Sequence, residues 1–295
     1  MSTAEVTKED LGRGCQIGLA NMKAVTFVDD ITTINTELQD TYVANASISW
    51  FSKKKRITLN GPKCMAMGIN LRPTDILPRL KIDGTVIKCV RKAVCLGDPF
   101  NDVGSNKDLI EDRIKKGKAC IVSAMSLCNE TTLGIYAVQT LILLYKSLFL
   151  QVVLYNSRAW CNVSKQELVS LKTIQLKYLK RIFHAPPSTS NPITLLETGS
   201  LPIEQEINQR QLNFLHHILS LDNDDPVKMV YIEQLKYTTE KNWANEVMGL
   251  RHKYGITELD EDIPVYSNDR WKDMVKKKVC VYALKILNDE MWTQA

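Results

Sequence analysis

Ala24-Val25-Thr26-Phe27-Val28-Asp29-Asp30-Ile31-Thr32-Thr33-Ile34 is the stretch on which the fold turns. Two β-prone runs flank a pair of adjacent carboxylates, so the pattern predicts strand, tight turn, strand, with Asp29 and Asp30 at the tip. Like charges side by side at a hairpin tip repel each other unless a cation lies between them. Hard divalent ions such as Mg²⁺ take clustered carboxylate oxygens, and in nucleotidyl transfer they steady the attacking and leaving oxygens. The competing reading is an ordinary turn in which Asp tolerates the tight backbone.

Working outward, the first hundred residues read as strand-rich. Cys15 to Leu19, Lys23 to Val28 and Ile31 to Asn35 suggest successive antiparallel strands. Leu38, Tyr42, Ala46 and Trp50 recur every fourth residue, which draws an apolar stripe on a helix. Lys53-Lys54-Lys55-Arg56 closes that helix, where cations suit the negative end of its dipole; a nuclear localisation signal is the other reading. Short strands are expected from Cys64 to Leu71, Arg79 to Ile82, Thr85 to Val90 and Lys92 to Leu96, with Asp83-Gly84 as a hairpin turn.

Near residue 100 the pattern turns helical. Ser105-Asn106-Lys107-Asp108 resembles a capping box opening a helix to about Leu127, with Lys107, Arg113, Lys115, Lys116 and Lys118 on its polar face. A long apolar helix is expected from about Leu133 to Tyr155. Ser164-Lys165-Gln166-Glu167 is a second capping box, before a helix with Leu168, Leu171, Gln175, Tyr178 and Ile182 on one face. That helix should stop before Pro186-Pro187. A polar linker from Pro186 to Pro192 then leads to a helical tail, with starts at Leu201-Pro202 and Asp225-Pro226 and a last helix from Trp271 to Met291. The expected fold class is therefore α+β: a partial antiparallel sheet with a helix, then helices only. The expected domains are 1–100, 101–190 and 191–295.

The 295 residues allow one large or two ordinary domains with real cores. The hydrophobic share of 44% and charged share of 24% exclude a disordered chain. Residues 1–190 carry 26 Lys/Arg against 16 Asp/Glu, whereas residues 191–295 carry 12 against 17. A basic first part suits a polyanionic partner or an ordinary solvated surface. The eight cysteines form no C-x-x-C pair, which argues against a zinc site and for reduced thiols inside the cell, cytoplasmic or nuclear. The polar start shows no signal pattern, and the apolar stretch Val138 to Tyr155 is interrupted by Gln139, Lys146 and Gln151. A buried helix, with no membrane partner, is expected there.

The order of these pieces resembles the rear half of a reverse transcriptase from a non-LTR retrotransposon. Phe27-Val28-Asp29-Asp30 is similar to the family's aromatic-x-Asp-Asp box on a palm hairpin. Leu59-Asn60-Gly61-Pro62-Lys63-Cys64 resembles its Leu-Asn-x-x-Lys segment, and Cys95-Leu96-Gly97 its strand corner near the primer. Arg113 to Ala119, Leu144-Tyr145-Lys146-Ser147-Leu148 and Val153 to Ser157, with Trp160, resemble its thumb. Leu195 to Pro202 and Arg210 to His217 resemble its post-thumb segment, so the likeness spans residues 15–220.

The resemblance implies a palm at 1–100, a thumb at 101–190 and a post-thumb tail at 191–295. It implies an RNA-directed DNA polymerase, a nucleotidyltransferase that uses two Mg²⁺ ions. Asp29 would be a shared metal ligand and Asp30 the weaker outer carboxylate. Lys63 would stand near the incoming dNTP and protonate the leaving pyrophosphate. Arg113, Lys115, Lys116 and Lys118 would track the backbone of an RNA template paired in an RNA–DNA or DNA duplex. His216 and His217 are expected to be packing or surface residues. The family's first catalytic Asp and its fingers are expected to be missing, with Glu5, Glu9 and Asp10 only generous substitutes. The chain thus reads as a truncated polymerase fragment with weak or absent Mg²⁺ binding and no activity alone. A sheet with an exposed edge would also invite self-association. The alternative is a non-enzymatic nucleic-acid-binding helical module derived from the thumb, and a weaker one is a helical scaffold with an incidental Asp-Asp turn.

Overall fold

The computed structural model describes residues 11–18, 20–72, 78–127, 136–258 and 260–293. Glu5, Glu9, Asp10 and the expected helix start at Leu133 lie outside the described residues. The fold class is α+β, with the strands in the first hundred residues and helices after them. The chain divides into two compact units: residues 1–105 with 223–233, and residues 106–222 with 234–295.

In the first unit the strands form two-stranded ladders. β1 (Cys15–Ile17) pairs with β2 (Ala20–Met22), and β3 (Ala24–Phe27) with β4 (Asp30–Thr33), both antiparallel. β5 (Met65–Met67) runs parallel to β8 (Lys88–Val90). β6 (Lys81–Ile82) and β7 (Thr85–Val86) form one hairpin, and β9 (Lys92–Cys95) and β10 (Asp98–Asn101) another. Asp83-Gly84 makes the expected turn, and Leu96-Gly97 makes its counterpart. Both central residues of each turn have positive φ, the signature of a type I′ hairpin.

α1 (Leu38–Lys55) opens with Asp40 in its first turn and ends with Lys53, Lys54 and Lys55 in its last, so each end carries the charge its dipole favours. Its buried side is Asp40, Ala44, Asn45, Ile48 and Ser52. Ala44 and Ile48 join a small core with Leu11, Leu80, Ile82 and Ile87. The polar residues on that side are partly satisfied by the strands: Asn45 Nδ2 donates to the Lys81 carbonyl at 3.3 Å. The stripe of Leu38, Tyr42, Ala46 and Trp50 faces solvent.

Among its described residues the second unit has helices joined by turns and loops and no strand. α2 (Lys107–Leu127) is followed by α3 (Ala137–Leu144), which passes through a π-helical turn (Tyr145–Phe149) into α4 (Leu150–Val153). α5 (Lys165–Ile182) carries the complete capping box expected at Ser164 and Glu167. α6 (Asn191–Glu197) and α7 (Ile203–Leu219) follow. After α8 (Pro226–Leu235), of which residues 226–233 belong to the first unit, come α9 (Trp243–Lys253) and α10 (Asn268–Thr293). The core gathers Ile121, Phe149, Val153, Leu171, Leu179 and Leu195 with their neighbours. Gly117 lets α2 approach closely, since a Cβ there would stand 2.7 Å from Val153 Cγ2. No helix among the described residues is long and apolar enough to cross a membrane.

Candidate functional site

Phe27 pairs with Asp30 across the β3–β4 ladder, which leaves Val28 and Asp29 as a two-residue turn. Val28 has a φ of 55°, while Asp29 does not share the positive φ. This is the sign pattern of a type II′ hairpin, whose first central position normally belongs to Gly. A β-branched residue there is a genuine outlier and costs roughly 1–3 kcal/mol. Backbone strain of this kind concentrates at functional sites. Asp29 and Asp30 are both exposed at the tip, beside Phe27 and Val28, which are 59% and 83% exposed.

Lys63 closes a 3₁₀ turn, Gly61–Lys63, in which its N–H donates to the Asn60 carbonyl at 2.9 Å. Its side chain is exposed, and no hydrogen bond or ion pair joins it to Asp29 or Asp30. Mg²⁺ is commonly held by one or two carboxylates with waters and substrate phosphates completing its octahedron. Asp29 and Asp30 meet that minimum for one loosely held ion. Among the described residues no three His, Cys, Asp or Glu side chains stand together as a metal-binding group.

The basic residues of α2 separate into two kinds. Lys115, Lys116 and Lys118 are exposed, with Lys116 paired to Asp112 at 2.7 Å across one helical turn. Arg113 is 3% exposed, lies 3.5 Å from Asp112, and places its guanidinium 4.8 Å from the Tyr155 ring centroid. It faces the interior and does not share the lysines' surface. His216 Nε2–H donates to the Tyr266 carbonyl (2.9 Å) and the ring stacks on buried Trp271, as expected of a packing residue; His217 is exposed beside Phe214.

Polar groups that sequence reasoning passed over cluster around the π-helical turn. Gln175 is fully buried: its amide N–H groups donate to the Tyr145 hydroxyl and the Leu201 carbonyl, each at 2.7 Å, and its Oε1 accepts from the Ile203 N–H at 2.9 Å. A Gln on the apolar stripe of its helix was the available signal. Burial pushes the Glu206 carboxyl up, opposed by Arg210, Lys146 and Lys276. Burial and the nearby Glu246 push the Cys161 thiol up to about 12, which leaves it a poor nucleophile. A cleft of about 740 Å³ lined by Arg13, Lys23, Glu37 and Asp40 does not include the hairpin tip. No protein-family model, curated protein or solved structure matches the chain.

Proposed function

We propose that this chain is a palm–thumb segment of a non-LTR retrotransposon reverse transcriptase, an RNA-directed DNA polymerase. The supporting observation is the hairpin: an aromatic-x-Asp-Asp box centred on a two-residue turn, with strained Val28 and both carboxylates at an exposed tip. Within a complete palm, Asp29 would be shared by the metal ions, Asp30 would be the outer carboxylate and Lys63 would serve the triphosphate. A two-ion reaction needs a further bridging carboxylate, so this chain alone should extend primers negligibly. Action on RNA and RNA–DNA duplexes implies an intracellular location, cytoplasmic or nuclear.

Primer extension on an RNA template with Mg²⁺ or Mn²⁺ tests the catalytic part. The expected result is no incorporation above background. Extension abolished by Asp29→Ala would overturn the inactivity and make the hairpin a working centre.

The second reading, a nucleic-acid-binding module built on the thumb, is supported by the exposed lysines of α2. It needs no catalysis. It requires salt-dependent duplex binding that Lys115→Glu with Lys118→Glu weakens.

A further inference from the structure

Helix α1 presents an apolar stripe to solvent rather than to the core of its unit. Leu38, Tyr42 and Trp50 are 46%, 40% and 58% exposed. With Ala46 they step along the helix about 6 Å at a time. The opposite side of the helix is committed to packing through Ala44 and Ile48, so the stripe is a free face within this unit. At its far end the Lys54 ammonium lies 4.7 Å from the Trp50 ring centroid, and exposed Arg56 follows in a left-handed C-cap. Lys53 is held by Asp83 at 3.0 Å. Cations alone would satisfy the helix dipole; they do not call for a half-exposed indole beside them.

We propose that this face binds single-stranded nucleic acid, with bases stacking on Tyr42 and Trp50 and phosphates held by Lys54 and Arg56. The inference rests on the nucleic-acid partner class of the preceding section, but uses a different surface from the lysines of α2. Aromatic platforms joined to cations bind single strands without sequence preference, because every base offers a π face. Charge complementarity selects the polyanion: with Lys53 engaged by Asp83, Lys54 and exposed Arg56 place cations at the end of the stripe. A membrane-surface helix would instead carry its cations along the whole polar side, and here that side packs Asp40, Asn45 and Ser52 inward.

The test is a titration of the full chain with a fluorescein-labelled oligo(U) of about a dozen nucleotides at low salt, with affinity read by the anisotropy of the label and contact read by tryptophan quenching. Trp160, Trp243 and Trp271 are buried, so quenching reports Trp50 or Trp292. The expected outcome is quenching in the wild type that Trp50→Phe abolishes while keeping affinity within about twofold, because Phe retains a stacking face. Trp50→Ala should weaken binding about tenfold with an unchanged circular dichroism spectrum, and Lys54→Glu should weaken it too. An Ala variant that binds as tightly as the wild type overturns the proposal, as does binding to anionic vesicles but not to oligo(U). A chain that binds an RNA–DNA duplex but not oligo(U) overturns this site alone. A chain that binds neither overturns the preceding reading as well.

Discussion

Val28 holds a branched side chain at a φ of 55°, where the hairpin's geometry asks for Gly. Strain at such a position costs roughly 1–3 kcal/mol, against about 0.5–1 kcal/mol of extra unfolded-state entropy for Gly. Val28→Gly should therefore stabilise the protein by about 1 kcal/mol, seen as a higher urea midpoint; a lower midpoint would mean the turn is unstrained. Gln175 makes the opposite case. Gln175→Leu removes three buried hydrogen bonds and should cost about 3 kcal/mol in the same measurement, whereas a loss under about 1 kcal/mol would mean the network relaxes. Glu206 gives a pH test. Its folded pKa is raised by burial, so the folded state binds the proton more tightly than the unfolded one. Its favourable contribution is complete below the unfolded pKa and is lost as pH rises towards the folded value. Glu206→Gln, which mimics the protonated acid, should gain in melting temperature relative to wild type as pH rises above about 4, the unfolded value of a Glu carboxyl. A difference that does not change with pH would contradict this.

Among the elements, the punctuation was legible and the facing was not. Ser164 and Glu167 announce α5, and Asp83-Gly84 announces a hairpin, because each acts through local bonds or local φ. The period of α1 is equally plain, yet its apolar stripe lies outward. The helix's inward side is polar in part, and each polar residue has its own partner: Asn45 the Lys81 carbonyl of β6, Asp40 the Arg13 guanidinium, and Ser52 the Ser49 carbonyl of the same helix. The same limit hid the burial of Arg113, since its partner Tyr155 is distant in sequence. The pair Asp29-Asp30 was legible as a hairpin tip, but the strain at Val28 was not, because nothing in a Val residue announces positive φ. At α2, Gly117→Ala would push a methyl to 2.7 Å from Val153 Cγ2. It should cost about 1–3 kcal/mol by overpacking, even though Ala is the better helix former; a neutral or stabilising outcome in thermal unfolding would show that α2 can shift.

On the scale of the whole molecule, charge separates along the chain: residues 1–190 are basic and residues 191–295 acidic. That asymmetry, the α2 lysines and the Asp-Asp hairpin are the features that support the proposed nucleic-acid partner. The direct measurement is the affinity of the full chain for an RNA–DNA duplex as a function of salt, with Lys115→Glu and Lys118→Glu combined as the comparison. Low-salt binding is expected, with an affinity whose logarithm falls linearly with the logarithm of salt concentration and a slope shallower by about 2 in the double variant. No binding at low salt, or binding that the double variant leaves unchanged, would contradict it.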